Sequence, residues 1–213
     1  MKIKGKQLRL YAVTDRAWAA DENALMDQIT AAIDGGAGIV QLREKHLDHD
    51  AFLKEAERFV ALCRQKGVIS IINDAVDIAA AVGADGAHVG QSDLAAGRAR
   101  EVLGPDKLIG VSANTVEEAL AAQATGADYL GVGAAFVTDT KADAAPISRD
   151  TIRAITQAVN IPVVAIGGIS RDNVTELAGC GLDGVAVVSA LFAQKNVKAA
   201  AEELRALSET IAR

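Results

Sequence analysis

The feature that most constrains this chain is a repeat of short apolar runs, each followed by a longer segment with helical spacing. The runs are rich in β-branched residues or leucine and recur about every 20 to 30 residues, a pattern that predicts alternating strands and helices. The eight predicted strands are Leu8–Val13, Ile39–Leu42, Ile69–Ile72, Gly86–Val89, Leu108–Val111, Tyr129–Val132, Val163–Ile166 and Gly184–Val188. The predicted helices include Asn23–Asp34, Asp50–Lys66, Val116–Thr125, Arg171–Ala178 and Val197–Ile211.

Eight strand–helix units in 213 residues favour a closed barrel over an open sheet. Pairs such as Gly83-Ala84 and Gly126-Ala127 mark helix ends, because glycine readily takes the left-handed conformation there. Open doubly wound sheets have the same glycine-containing helix ends, but no GxGxxG sequence follows the first strand. We therefore predict an α/β fold, a (β/α)8 TIM barrel, as a single catalytic domain over residues 1–213.

Composition and charge exclude several classes of partner. The net charge is −6 without an acidic or basic block, whereas nucleic acids and anionic membranes require a clustered cationic surface. No apolar run has signal-peptide or membrane-spanning length, so we expect a cytoplasmic protein. Cys63 and Cys180 lack metal-site or disulfide spacing. The expected partners are small molecules, and the sequence leaves homo-oligomer formation open.

Polar residues at the carboxyl ends of barrel strands carry the functional signal, because active sites of such barrels lie there. After the second strand, alternation places Gln41, Arg43 and Lys45 on one inward face. Desolvated cations are costly without an anion, so this face predicts a phosphorylated ligand. A solvated charged loop is the alternative.

The third and fourth strands lead to a pair of carboxylates. Asn73-Asp74 ends the third strand, and Asp93 follows the fourth, which contains His88. Two carboxylates at neighbouring strand ends predict a Mg²⁺ site completed by water and substrate phosphate. Each aspartate alone could instead cap a helix. For His88 we expect a hydrogen-bonding role inside the barrel rather than catalysis.

The remaining strand ends add hydroxyls and glycines. Ser112 can point into the barrel mouth, and the segment 133–146 is long enough for either a lid or a surface loop. Gly167-Gly168 and Val188-Ser189 end the last two strands, where many barrels bind phosphate through backbone N–H groups. They predict a second phosphate site, although two glycines can also form a simple tight turn.

Together these motifs closely resemble the thiamine phosphate synthase family, in order from Tyr11 to Phe192. The resemblance rests on Gln41-Leu42-Arg43-Glu44-Lys45, Asn73-Asp74, Gly90-Gln91-Ser92-Asp93, Gly110-Val111-Ser112, Thr138-Asp139-Thr140-Lys141, Ile166-Gly167-Gly168-Ile169 and Val187-Val188-Ser189-Ala190. Two positions depart from it: Val137 stands where many members have Pro, and Asn114 where many have His.

The resemblance implies a magnesium-dependent transferase of thiamine biosynthesis. It would join 4-amino-2-methyl-5-hydroxymethylpyrimidine diphosphate to methyl-hydroxyethylthiazole phosphate, or to its carboxylated form, and release diphosphate. The implied mechanism is dissociative: diphosphate leaves first, and the thiazole nitrogen captures the resulting pyrimidine-methyl cation. Such a reaction requires charge stabilisation and positioning rather than a side-chain nucleophile.

The resemblance also implies residue roles. The pyrimidine-diphosphate ligands would be Gln41, Leu42, Arg43, Glu44, Lys45, Asn73, Ser112 and Lys141. The Mg²⁺ ligands would be Asp74 and Asp93, and the thiazole-phosphate ligands Thr138, Asp139, Thr140, Gly168, Val188 and Ser189. The catalytic contribution would come from Arg43, Lys45, Ser112 and Lys141.

Three other functions remain open. A related thiazole tautomerase shares the barrel and the distal phosphate site, but it does not need the full set of pyrimidine-diphosphate residues. Sugar-phosphate epimerases and lyases are phosphate-binding barrels with acid and base residues of their own. A metabolite sensor would bind both phosphates without turnover.

Overall fold

Eight parallel strands close into a barrel in chain order, with β8 hydrogen-bonded to β1. The computed structural model describes residue 3 and residues 5–90, 93–138 and 146–213, with the backbone alone for residues 93–96. The strands are β1 (Leu10–Val13), β2 (Ile39–Leu42), β3 (Ile69–Asn73), β4 (Gly86–Val89), β5 (Leu108–Ala113), β6 (Tyr129–Val132), β7 (Val163–Ile166) and β8 (Gly184–Val187). The predicted TIM barrel is confirmed. The first strand begins later than predicted, because Leu8 ends a short helix beneath the barrel.

Helices precede β1, connect most of the successive strands and follow β8. They are α1 (Gly5–Leu8), α2 (Glu22–Asp34), α3 (His49–Lys66), α4 (Val76–Ala81), α5 (Asp93–Leu103), α6 (Val116–Ala124), α7 (Arg149–Ala158), α8 (Ser189–Phe192) and α9 (Val197–Ile211). Side-chain caps begin several of them; for example, Asp48 accepts a hydrogen bond from Ala51 N at the start of α3. Among the described helices, none is both long enough and apolar enough to cross a bilayer.

The prediction of a helix at Arg171–Ala178 is wrong, because only a four-residue 3₁₀ helix forms, at Val174–Leu177. The side chain of Asn173 accepts a hydrogen bond from Ser170 N and donates one to the carbonyl oxygen of Gly168. Such side-chain bonds to nearby backbone groups stabilise a turn in place of a regular helix.

Strand alternation produces two apolar layers. Inward-facing residues such as Ile39, Ile71 and Leu108 fill the lower half of the barrel and are fully buried. Outward-facing residues such as Val40 and Leu42 pack in the layer that also includes Phe59 of α3. Each such buried side chain contributes about 1.5–3 kcal/mol through removal of apolar surface from water. The inner layer stops at a polar level near the carboxyl ends of the strands.

Three aspartates form hydrogen bonds between neighbouring strands at the amino-terminal end of the barrel. Asp85, Asp128 and Asp183 stand immediately before β4, β6 and β8, within the repeated sequence Gly-Ala/Leu-Asp. Each carboxylate accepts a hydrogen bond from a backbone N–H of the preceding strand, at distances of 2.9, 2.8 and 2.9 Å. The carboxylates thus satisfy N–H groups that would otherwise lack partners at the strand ends. This end is opposite to the carboxyl ends of the strands.

We predict that Asp183→Ala lowers the free energy of unfolding by about 2 kcal/mol, because the buried N–H of Val163 loses its acceptor. Urea unfolding measures the change. The matched control is Asp27→Ala on the exposed surface of α2, which should change stability by less than about 0.5 kcal/mol. Equal stability of Asp183→Ala and the parent chain would contradict the role assigned to this carboxylate.

Candidate active site

A cavity of about 420 Å³ opens at the carboxyl ends of the strands. All eight strands or the loops that follow them contribute lining residues, as expected for an active site of a TIM barrel. The volume lies within the range of about 300–1,000 Å³ that is usual for small-molecule sites.

Four of the predicted pyrimidine-diphosphate residues line one side of this cavity: Gln41, Arg43, Asn73 and Ser112. Arg43 is held by residues that follow β1. Its backbone N–H donates to Thr14 Oγ1 at 2.9 Å, and its guanidinium lies 3.5 Å from the Asp15 carboxylate. The Asp15 contact is longer than a strong charge-assisted hydrogen bond. Most of the five N–H donors of Arg43 can therefore face an anionic ligand.

The other members of that predicted set lie elsewhere. Leu42 points outward into the apolar layer, and Glu44 bonds to Arg16. Lys45 is exposed and does not line the cavity among the described residues. The predicted inward face thus includes Gln41 and Arg43 but not Lys45, because β2 ends at Leu42 and strict alternation ends with it.

Several predicted site residues lie outside the described part of the chain. These are Asp139, Thr140, Lys141 and the side chain of Asp93, whose backbone begins α5. Their predicted roles stay predictions.

Asp74 lies at the rim of the barrel with its side chain exposed. Its φ of 60° is a left-handed conformation, rare for residues other than glycine and a frequent mark of functional turns. Its N–H donates to the His88 carbonyl oxygen at 2.9 Å, and one carboxylate oxygen accepts from the Asn73 amide at 2.7 Å. Within the described residues, no cluster of three or more His, Cys, Asp or Glu could enclose a metal. A single accessible carboxylate nevertheless suits Mg²⁺, which keeps several water ligands.

Glycines and a helix start shape the opposite side of the cavity. Gly167 and Gly168 have φ values of 95° and 66°, and a Cβ on Gly168 would collide with the carbonyl oxygens of Phe136 and Val137. Ser189 begins α8 beside them. The N–H groups of Leu191 and Phe192 donate to the Val188 carbonyl oxygen, which leaves those of Ser189 and Ala190 without an acceptor within that helix. The predicted thiazole-phosphate residues Thr138, Gly168, Val188 and Ser189 all line this side.

A chain of hydrogen bonds crosses the floor of the cavity. The Gln41 amide nitrogen donates to the Tyr11 hydroxyl at 2.6 Å, and that hydroxyl lies 2.8 Å from the Tyr129 hydroxyl. His88 Nδ1 is 3.2 Å from the Tyr129 oxygen, and His88 Nε2 is 3.1 Å from Ser112 Oγ. His88 therefore has the hydrogen-bonding role expected for it. Burial raises the pKa of both tyrosines well above the usual value, so they keep their protons.

The sequence interpretation missed Tyr11 and Tyr129. A signal for them was present, because they are the only tyrosines in a chain that is 3% aromatic. Both lie on strands, at positions that alternation turns inward with Val13 and Gly131 respectively.

A cluster of one arginine and two buried glutamates, next to Asp15, was not foreseen. Arg16, next to Asp15, bonds to the carboxylates of Glu44 and Glu55, whose side chains are 2% and 0% exposed. One oxygen of each glutamate has no hydrogen-bond partner among the described residues. Burial, with the neighbouring Glu44 adding to it against the opposing effect of Arg16, raises the pKa of Glu55 from 4.5 to about 7.

We predict that Glu55→Gln weakens the pH dependence of stability between about pH 4.5 and 7. Folded Glu55 retains its proton up to a higher pH than unfolded Glu55, so this group's contribution to stability falls as pH rises through that window. Urea unfolding at a series of pH values tests this. The matched control is Glu57→Gln, an exposed neighbour on α3, which should keep the parent profile. Identical profiles for both variants would contradict the raised pKa.

A closed parallel barrel with a cavity at the carboxyl ends of its strands, lined in part by polar side chains, defines a (β/α)8-barrel enzyme. Comparison with known families is more specific, because the family described as thiamine monophosphate synthase matches residues 10–191. The chain belongs to this family, whose members are transferases of thiamine biosynthesis. The expected family and enzyme class are confirmed.

Individual relatives agree with that assignment. The chain is 52% identical over 200 residues to thiamine-phosphate synthase of Chloroflexus aurantiacus, covering 93% of this chain and 92% of the relative. It is 47% identical over 204 residues to thiamine-phosphate synthase of Clostridium tetani, with 96% and 97% covered. Its fold matches thiamine phosphate pyrophosphorylase from Pyrococcus furiosus with a TM-score of 0.88 at 38% identity, over 97% of this chain and 98% of that one.

Proposed function

We propose that this chain condenses 4-amino-2-methyl-5-hydroxymethylpyrimidine diphosphate with methyl-hydroxyethylthiazole phosphate to give thiamine phosphate and diphosphate. With the carboxylated thiazole phosphate, CO2 would be released as well. The observation that carries the proposal is one continuous cavity with two chemically different sides. Gln41, Arg43, Asn73 and Ser112 line one side, and Thr138, Gly168, Val188 and Ser189 line the other. Such a cavity can hold two phosphorylated substrates with their reacting ends facing each other.

The side that contains Arg43 suits the diphosphate. In the proposed dissociative step, the bond between the pyrimidine methylene carbon and oxygen breaks, and the electron pair leaves with diphosphate. The guanidinium of Arg43, which contacts the Asp15 carboxylate and whose backbone is held by Thr14, would stabilise the growing negative charge. Lys141 is proposed to add further positive charge, whereas Lys45 is exposed and does not line the cavity among the described residues. Asn73 and Ser112 offer neutral polar groups to the same substrate.

Asp74 and Asp93 are proposed to hold Mg²⁺. The exposed Asp74 carboxylate is a hard oxygen ligand, and its turn is fixed by the bond from its N–H to the His88 carbonyl oxygen. Bound Mg²⁺ would supply additional charge neutralisation for diphosphate as it leaves.

The opposite side suits the thiazole phosphate. Backbone N–H groups near Gly168 and at the start of α8 can receive a phosphate, as helix starts and glycine turns do in other proteins. Thr138, Asp139, Thr140, Val188 and Ser189 are proposed to complete this site. The thiazole nitrogen would then form the new carbon–nitrogen bond with its own lone pair, and no base is needed.

The proposed chemistry requires no covalent enzyme intermediate. Neither cysteine lines the cavity, and both are buried. Burial raises the pKa of the Cys63 thiol to about 12, so it is not a thiolate at neutral pH. The cavity instead favours binding, orientation and electrostatic stabilisation.

The experiment that tests the proposal measures products from the purified chain supplied with both phosphorylated substrates. We predict equimolar release of thiamine phosphate and diphosphate with Mg²⁺, and loss of both when a chelator is added. Binding of both substrates without turnover would contradict the proposal and indicate a metabolite sensor. Conversion of the thiazole substrate alone, without release of diphosphate, would indicate a tautomerase.

A second prediction concerns the metal. Asp74→Ala and Asp93→Ala should each lower turnover by about 100-fold or more, because loss of a ligand weakens Mg²⁺ binding, and should leave thiazole-phosphate affinity nearly unchanged. Turnover across a Mg²⁺ series and calorimetry with the thiazole phosphate measure the two effects. The control is Asp77→Asn, an exposed neighbour on α4 outside the cavity. Turnover of Asp93→Ala equal to that of the control would contradict the metal assignment.

A further inference from the structure

We infer that Tyr11 and Tyr129 are positioning residues: they fix the tautomer of His88 and thereby direct the hydroxyl proton of Ser112 into the cavity. The five side chains of the hydrogen-bond chain come from five different strands and join Gln41 to Ser112, two predicted ligands of the pyrimidine substrate. The kinetic part of this inference rests on the proposed function, whereas its structural part does not.

The Gln41 amide sets the direction that we infer for this chain. The Gln41 amide nitrogen has only protons to offer, so the Tyr11 oxygen accepts from it and gives its own proton to the Tyr129 oxygen. Tyr129 has one proton as well, which it donates to His88 Nδ1. In the neutral tautomer that we infer for His88, an accepting Nδ1 places the ring proton on Nε2, which donates to Ser112 Oγ. The hydroxyl proton of Ser112 is then directed away from His88.

The protons of the tyrosines are held in place by burial. Tyr11 is 1% exposed and Tyr129 is fully buried, and loss of water raises the pKa of both hydroxyls. Neither hydroxyl therefore ionises near neutral pH, and each remains a donor as well as an acceptor. The order of donors and acceptors that begins at Gln41 therefore continues to His88 without a change of charge.

The surrounding strands leave room for this arrangement. Gly110 of β5 faces the Tyr129–His88 contact, where a Cβ would collide with the tyrosine ring, its hydroxyl and His88 Nδ1. On β6, a Cβ at Gly131 would lie 3.1 Å from His88 Cε1, tighter than ordinary van der Waals contact. Both positions point inward, where other strands carry bulky side chains. The two glycines thus allow the rings to approach, with centroids 5.6 Å apart.

The consequence for function is a preset donor on the pyrimidine side of the cavity. Ser112 lines that side, and its hydroxyl would meet an acceptor atom of the substrate without first having to reorient. Ser112 alone can rotate its proton freely, because a hydroxyl is both donor and acceptor. The tyrosines remove that freedom from a distance, through His88.

The structural test is nitrogen NMR of the imidazole rings in the ¹⁵N-histidine-labelled full chain at about pH 8, where model imidazoles are neutral. The chain has three histidines, so a His88→Asn variant identifies the His88 signals. We expect a protonated Nε2 and an unprotonated Nδ1 in the parent chain, and a shift towards protonated Nδ1 in Tyr129→Phe. A parent ring protonated on Nδ1, or an unchanged tautomer in Tyr129→Phe, would overturn the inference.

The matched control is Thr156→Val, which removes a buried hydroxyl elsewhere while keeping the side-chain shape. Thr156 lies on α7, and its hydroxyl donates to the Cys180 carbonyl oxygen at 2.6 Å. This variant should lose stability but keep the parent tautomer of His88 and the parent kcat. A tautomer shift of the same size in Thr156→Val would also overturn the inference, because general loosening would then explain it.

The kinetic test is a double-mutant cycle in the proposed reaction. Tyr129→Phe should lower kcat about tenfold, equivalent to about 1.4 kcal/mol, with a smaller change in KM. Because both residues act through one hydroxyl, adding Tyr129→Phe to Ser112→Ala should cost little more, whereas independent effects would multiply and contradict the inference. A parent chain without turnover would refute the proposed function instead, and the NMR result would still decide the positioning role.

Discussion

Every second residue of each strand must fit inside a closed barrel, and this constraint governs both the stability and the chemistry of the chain. In the lower barrel the inward positions are aliphatic, as at Ile39, Ile71 and Leu108, and they form a dry core. One level higher the same alternation brings polar side chains together, because Gln41 and His88 occupy inward positions as well. The boundary between core and cavity is therefore set by residue type at fixed strand positions.

Polar groups at this depth are stable only when they are paired. The chain from Gln41 to Ser112 links the inward polar groups through two tyrosine hydroxyls, so that burial costs are offset by hydrogen bonds. Glycines make room for the rings, which explains why Gly110 and Gly131 stand at inward positions of adjacent strands. The floor of the cavity is thus part of the core below it and of the binding surface above it.

The number of strands and the end of the barrel that carries the cavity could be predicted from the sequence, because both depend on local periodicity. The position of Lys45 could not, since alternation holds only while the strand continues and β2 ends at Leu42. Contacts between residues distant in sequence could not be predicted either. Glu44 bonds to Arg16 rather than lining the cavity, and the two hydrogen-bonded tyrosines are 118 positions apart. Such contacts depend on closure of the whole barrel rather than on a motif.

We propose that one cavity positions two phosphorylated substrates from opposite sides. The most direct measurement is a crystal structure of the chain with thiamine phosphate, diphosphate and Mg²⁺. We expect the pyrimidine ring above the Gln41–Ser112 floor, diphosphate beside Arg43, and the thiazole phosphate at Gly168 and Ser189. Product bound in the reverse orientation, or outside the cavity, would contradict this arrangement.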